Sequence, residues 1–320
     1  MTDEGRPLCV EVPPTLAGER VDRALALLTG VTRRVAAALV AAGGVRLDGV
    51  VVSARSTPLR AGQLLEAVIP APEPEGPRPD PSVSFTVAYE DDDLLVVDKP
   101  AGLVVHHGAG HSGGTLVDGL VARYPELAAL AGSGVGDPTR PGIVHRLDKG
   151  TSGLLVVARS PAAFASLSTQ LREHQAERRY TALVAGIVEA DQGIVDAPIG
   201  RSVRRPDRMT VRAGGRPART HYSVRARFSD PVPVTLLDAA LETGRTHQVR
   251  VHLAALGTPV IGDDRYGDAR ARPKELVRLL GPGRLFLHAG RLSVVHPDGT
   301  RRTWEAPLPD DLERALAALG

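Results

Sequence analysis

Apolar positions near the start of the chain recur at two periods. Between Glu19 and Leu28, Val21, Ala24, Leu25 and Leu28 fall at helical spacing. A second helix runs from Thr32, a capping residue, to Val40, and Gly43-Gly44 ends it. The period then drops to that of strands. Val45 to Leu47 and Val50 to Val52 flank Asp48-Gly49, the signal of a type I′ hairpin, and Leu64 to Ile69 makes a further strand. Residues 15–70 therefore predict a small α+β module. Residues 70–81, PAPEPEGPRPDP, hold six prolines and predict a stiff linker over 71–81 with no means of packing a core.

A second domain is expected over 82–320. Phe85 to Tyr89 and Leu94 to Val97 read as strands around the acidic turn Glu90 to Asp93. Thr115 opens an amphipathic helix to about Leu130, and a glycine-rich loop follows from Ala131 to Arg140. Ile143-Val144 and Leu154 to Ala158 read as short buried strands around the turn Gly150-Thr151-Ser152-Gly153. Ser160-Pro161 caps a helix to about His174, with Phe164, Leu167 and Leu171 inward. Arg178 to Val184 and Leu236 to Leu241 predict strands, and Thr246 starts a helix that ends at Gly257. Arg284 to His288, Leu292 to Val295 and Thr303 to Ala306 finish a sheet, and Asp310 to Leu319 forms a terminal helix. With strands and helices both present, the fold class is α+β.

Composition narrows the classes. A chain of 320 residues has length for two domains and a sizeable core. It has no run of eighteen apolar residues and no basic-then-apolar start, so neither a membrane span nor a signal peptide is expected. Cys9 is the only cysteine, which excludes an intrachain disulfide. These points predict a cytoplasmic protein, and no unused apolar helical face argues against a monomer. Net charge is only +2, yet the basic residues are nearly all arginine, with Lys99, Lys149 and Lys274 the three lysines. Residues 201–227 set nine arginines against Asp207, a local charge of +8. A β-hairpin with arginine-rich loops is expected there, and an exposed patch of that charge should bind polyanions. His106, His107 and His111 cluster in a glycine-rich loop but lack a convincing ligand set, so no metal is expected. No P-loop or dinucleotide fingerprint is present, so no cofactor is expected either.

The candidate chemistry lies in PGIVHRLDKGTSGLLVVA, residues 141–158. Alternation puts Arg146 and Asp148 on one side of an extended segment and Leu147 on the other. A carboxylate beside a guanidinium stays ionised well below its reference pKa of about 3.9. Such an aspartate can be a nucleophile, a general base or an anchor, and the residues alone do not choose between them.

HRLDKGTSGLLVVA resembles the signature of the RluA/RluD-type pseudouridine synthases, with Gly150 standing where relatives often carry an acidic residue. DKPAGLVVH at 98–106, RRYTALV at 178–184, ETGRTHQVRVHL at 242–253 and PVIGDDRYG at 259–267 are similar to the family's other motifs. GERVDRALA…TRRVAAALVAAGGVRLDGVVV resembles an S4 RNA-binding domain. The resemblance implies an S4-like αβ module followed by a catalytic domain on a mixed, mainly antiparallel sheet with flanking helices. It implies an RNA uridine isomerase that needs no metal or cofactor and acts on a flipped-out uridine. It makes Asp148 the catalytic residue, Tyr180 an active-site residue against the uracil, and Arg245 the partner that holds Asp148 ionised. Arg146 and His145 would meet the substrate, and Arg20, Arg23, Arg33 and Arg34, with Arg46 nearby, would meet RNA. Large-subunit (23S) ribosomal RNA is the expected substrate, with tRNA second. A non-catalytic RNA-binding assembly factor would need the basic surfaces but not Asp148, and a nucleoside hydrolase would not need them.

Overall fold

The structure is a computed structural model and describes residues 5–70, 76–107, 113–132, 134–267 and 273–320. The chain forms two compact units, Met1–Glu75 and Gly76–Gly320. In the first, strands β1 (Arg6–Glu11), β2 (Val45–Leu47), β3 (Val50–Val51) and β4 (Leu64–Ile69) form an antiparallel sheet in the order β1-β4-β2-β3. Helices α1 (Val21–Thr29) and α2 (Arg33–Ala41) cover it. Val21, Ala24 and Leu25 of α1 and Ala36 and Val40 of α2 are buried against Val45, Leu65 and Ile69. The Thr32 hydroxyl caps α2 by accepting the Val35 N–H, and Asp48 and Gly49 both take the positive φ of a type I′ turn. Strand β1 lies outside the expected module. Pro7 obscures its alternation, but an edge strand tolerates a proline.

The second unit is built on one large sheet. Its strands are β5 (Thr86–Glu90), β6 (Leu94–Lys99), β7 (Ser152–Ala158), β8 (Glu177–Ala185) and β9 (Gln192–Asp196). A separate hairpin, β10 (Ile199–Arg201) and β11 (Met209–Val211), precedes β12 (Arg219–Phe228), β13 (Val234–Leu241), β14 (Leu287–Val295) and β15 (Arg301–Glu305). The order is β5-β6-β7-β14-β8-β13-β12-β9, with β15 beside β14. The β7–β14 pairing is parallel and the other pairings are antiparallel, so the sheet is mixed and mainly antiparallel.

Helices pack on both faces, which is why β7 reads as an unbroken apolar run. Leu155 and Val157 face α3 (Leu116–Arg123) and α4 (Glu126–Gly132), whereas Leu154 and Val156 face α5 (Pro161–Arg172). Helix α6 (Gln248–Ala255) joins the first of these layers. Helices α7 (Lys274–Leu280) and α8 (Asp310–Ala317) close a third cluster around Leu183 and Phe286.

Several boundaries differ from expectation. The helix expected from Thr115 breaks at Tyr124-Pro125, because proline cannot continue the ladder. Ile143 makes only a single bridge to Val157 rather than a strand. Helix α6 begins after His247, whose φ of 57° is left-handed, and not at Thr246. The basic stretch 201–227 is part hairpin and part sheet strand rather than one hairpin. The proline-rich stretch also packs in part. The Arg78 N–H donates to Asp118 Oδ1 (2.8 Å) and the Asp80 N–H to the Asp118 carbonyl (3.1 Å). Its residues 71–75, like His111, lie outside the described residues.

Asp118 is fully buried and ties this region together. Its carboxylate accepts the N–H and hydroxyl of Thr115, forms a capping box, and bonds His107 Nε2 at 2.7 Å. Burial opposes its ionisation, but the bonds from Thr115, His107 and Arg78 outweigh that and lower its pKa. A depressed carboxylate pKa gives stability that is present above the unfolded value of about 3.9 and is lost as pH falls through the folded value. Asp118→Ala is expected to lose about 2–3 kcal/mol at pH 7, read by urea denaturation, with the difference from wild type shrinking in strong acid.

Candidate active site

Asp148 ends an extended approach, Val144 to Leu147, that runs beside the sheet without joining it. Leu147 is buried in the core, and it lines a cavity of about 420 Å³ together with Arg146 and Asp148 on either side. The turn after Asp148 is pinned on two sides. The Gly102 N–H donates to the Lys149 carbonyl at 2.7 Å, and the Leu285 N–H and Arg284 Nη1 donate to the Gly150 carbonyl at 3.1 and 3.0 Å. Gly150 has no room for a side chain, since a Cβ there would lie 2.3 Å from the Gly283 carbonyl oxygen. Lys99 is fully buried behind the turn, its ammonium donating to the Pro100 and Leu103 carbonyls, and burial pulls its pKa down to about 7.

The partner of Asp148 is Arg250. Asp148 Oδ2 accepts from Arg250 Nη1 at 2.9 Å. The other edge of that guanidinium forks onto the buried Asp263, with Nε and Nη2 at 2.7 and 2.9 Å. Asp263 also accepts the Arg265 and Tyr266 N–H groups at 3.0 Å each, and the Tyr266 ring lies 5.1 Å from the guanidinium. Burial works against both charges but the pairing prevails, so the Arg250 pKa rises and that of Asp263 falls. The Tyr266 hydroxyl accepts the Met209 N–H and bonds His247 Nδ1 at 2.7 Å. Burial lowers the His247 pKa, and its Nε2 sits 3.9 Å from Asp148 Oδ1. The first turn of α6 is anchored by Gln248, which accepts from the Thr243 hydroxyl and the Arg245 N–H and donates to Arg219 and Thr220.

The facing wall comes from β8. Strand alternation turns Arg178 and Tyr180 to the same face, and both line the cavity. Tyr180 is buried, which pushes its pKa up to about 12, so its hydroxyl is protonated at neutral pH. His145 also lines the cavity, but its Nε2 accepts the Val156 N–H at 3.0 Å. Burial, with the Arg178 charge adding to it, drives the His145 pKa down to about 3. The ring is therefore neutral and clips the Asp148 approach to β7.

The expected pairing of Arg245 with Asp148 is corrected. Arg245 lies in the loop before α6, and its Nε donates to the Pro217 carbonyl at 3.0 Å, although it still lines the cavity. Because the helix starts only after His247, Arg250 falls on its inner face beside Val249 and Leu253, within reach of Asp148. Arg146 is exposed at the cavity, with no ion-pair partner among the described residues.

In the first unit, Arg20 forks onto the buried Asp22, Arg23 pairs with Glu19, and Arg33 Nε lies 3.4 Å from Asp22. Arg34 is exposed with no carboxylate partner among the described residues. Arg46 donates to the Gly49 carbonyl. The 201–227 patch contracts in the same way. Arg219, Arg225 and Arg227 are answered by Asp196 and Glu242, Asp238 and Asp191. Arg201, Arg204, Arg205, Arg208 and Arg212 of the β10–β11 region have no carboxylate partner among the described residues.

Sequence reading missed Arg250, Asp263, Tyr266 and Arg178 as site residues. Arg250 and Asp263 had a legible signal: an arginine flanked by valines in a buried helix, and an aspartate after an apolar Val260-Ile261, both need partners. Arg250→Met strands the buried Asp263 and the partly buried Asp148 and is expected to destabilise the fold by about 3–5 kcal/mol in urea titration. Arg245→Met should stay within about 1 kcal/mol of wild type in the same measurement.

Comparison with known proteins gives the family of both units. A family model described as RNA pseudouridylate synthase matches residues 93–255, and an S4 domain model matches residues 19–65. An uncharacterized RNA pseudouridine synthase from Chloroflexus aurantiacus is 45% identical over 318 residues, covering 99% of this chain and 95% of the relative. The ribosomal large subunit pseudouridine synthase D of Nitrosomonas europaea is 40% identical over 310 residues, covering 96% of this chain and 86% of the relative. The solved structure of human RNA pseudouridylate synthase domain containing 1 is 27% identical with a TM-score of 0.58, covering 74% of this chain and 90% of that one. Full-length similarity at this level, over a second unit that places the matched motifs around one cavity, makes the chain a member of the RNA pseudouridine synthase family with an N-terminal S4 domain.

Proposed function

We propose that this pseudouridine synthase acts on specific uridines of large-subunit (23S) ribosomal RNA, with Asp148 as its catalytic residue. The observation that carries the role of Asp148 is its setting. It is the one carboxylate among the described residues lining the cavity, and Arg250, itself braced by Asp263, aims it. The substrate class is supported by relatives named as large-subunit pseudouridine synthases in Nitrosomonas europaea and Xanthomonas campestris, the latter 42% identical over 315 residues.

The reaction breaks the N1–C1′ bond of a uridine, turns the uracil and joins C5 to C1′. The proton leaves C5, and N1 gains one, so no redox partner is needed. A stacked uridine cannot reach Asp148, so the nucleotide is extruded into the cavity. There Asp148 acts at the ribose. Tyr180 offers its ring to the uracil, and Arg146 at the cavity mouth holds the displaced RNA. Arg250 touches Asp148 rather than the uracil, so its work is positioning. Arg245 serves as a further cavity-lining cation. The exposed arginines of the first unit and of the β10–β11 hairpin add sequence-independent affinity that falls with salt.

The test is chemical mapping of pseudouridine in RNA from cells lacking the gene. One or a few large-subunit sites should disappear and should return with wild-type protein but not with Asp148→Ala. If those sites persist and the purified protein forms no pseudouridine in unmodified large-subunit RNA, the substrate assignment fails. Sites lost from tRNA instead would move the activity to that substrate.

A further inference from the structure

Arg178 carries a buried charge with no carboxylate beside it. It is 6% exposed, and its Nη2 donates to the Glu242 carbonyl at 3.2 Å. Its Nε is buried without a hydrogen-bond partner among the described residues. The other deeply buried arginines are answered, Arg250 by Asp148 and Asp263 and Arg284 by Asp311. A buried guanidinium without a carboxylate opposes folding, because burial strips its hydration and one neutral carbonyl replaces little of it. Its neighbours on the wall do not help, since His145 is neutral and Tyr180 holds its proton.

The placement of this charge points to a ligand. Arg178 lines the cavity two residues from Tyr180. Its guanidinium lies beneath Gly244, where a Cβ would stand 2.6 Å from Nη1. A side chain at that exposed position would have to displace the guanidinium or lie over it. Uracil and ribose are neutral and cannot answer the charge. The phosphodiester is the anion that an RNA substrate brings with every nucleotide, and a guanidinium fork matches its oxygens.

We propose that Arg178 receives a backbone phosphate of the RNA beside the flipped uridine, so that the target nucleotide is held by its backbone on one wall while Asp148 meets its ribose. This rests on the RNA-uridine reading above. It makes Arg178 a substrate-binding residue whose charge is balanced only in the complex.

The test uses full-length Arg178→Met and Arg178→Gln, with Arg178→Lys as the charge-preserving control. Affinity for an unmodified large-subunit RNA transcript is measured across a KCl series, and the stability of the RNA-free protein is measured in urea. Both neutral variants should bind roughly tenfold more weakly, as loss of one charge-assisted contact implies. The slope of log affinity against log salt should shrink by about 0.7–0.9, the value of one phosphate. Arg178→Lys should keep the slope. The free protein should be as stable as wild type or more so, which a purely structural arginine would not allow.

Wild-type affinity and slope in either neutral variant would overturn the proposal, as would lost stability with an unchanged slope. Should Arg178→Met not fold, Arg178→Gln is read by the same criteria. The slope is a binding readout, so it stands apart from catalysis. A reduced slope in a protein that forms no pseudouridine would uphold the phosphate contact and sink the substrate reading instead.

Discussion

The chain of charge from Asp148 through Arg250 to Asp263 is the constraint around which the catalytic unit is arranged. Asp148 is partly buried, and its carboxylate must be held in one direction toward the cavity. One guanidinium cannot do this alone, because a single buried pair gains little once both ions lose their water. Here Arg250 spends one edge on Asp148 and two donors on Asp263, and Asp263 in turn accepts two backbone N–H groups. The fork fixes the plane of Arg250 before any substrate arrives, and that plane fixes the direction of Asp148. The arrangement is preorganised, which is the condition for electrostatic work at an active site.

The fold supplies the rigidity this requires. Asp148 leaves a turn whose carbonyls are held by Gly102, Lys99, Leu285 and Arg284, and Arg250 belongs to a helix locked by Gln248. The two sides come from distant parts of the chain and meet over a sheet covered on both faces. The hairpin β10–β11 touches the same frame. Its Met209 N–H bonds the Tyr266 hydroxyl, and the Tyr266 ring supports Arg250. The hairpin that carries exposed arginines is therefore linked, through Met209 and Tyr266, to the group that contacts Asp148. The opposite wall differs in kind, because its buried charge at Arg178 is left for the RNA to answer.

Much of this was legible in the sequence, and the limits have physical causes. Strands such as Leu64–Ile69 and Leu94–Lys99 show in their apolar runs, and the Thr32 and Ser160 caps mark helix starts, because these signals are local. The edge strand Arg6–Glu11 escaped, since what makes it a strand is pairing with residues far along the chain. The choice between Arg245 and Arg250 was of the same type. Both sit in one motif, and only the late start of α6, set by the left-handed His247 and by Gln248, decides which of them points inward. The +8 of residues 201–227 overstated the free charge, because a local count cannot see Asp191, Asp196, Asp238 and Glu242 across the sheet.

The most direct measurement is a double-mutant cycle between Asp263 and Arg250, read as the single-turnover rate of pseudouridine formation at saturating enzyme. Asp263 lies behind Arg250 and is buried, and its carboxylate meets Arg250 and the Arg265 and Tyr266 N–H groups rather than Asp148. Asp263→Asn is expected to slow the reaction at least roughly tenfold in the wild-type background and to add little once Arg250→Lys has released Asp148, because residues that act as one unit are not additive. A wild-type rate in Asp263→Asn, or two effects that simply multiply, would contradict the view that Asp148 depends on this frame.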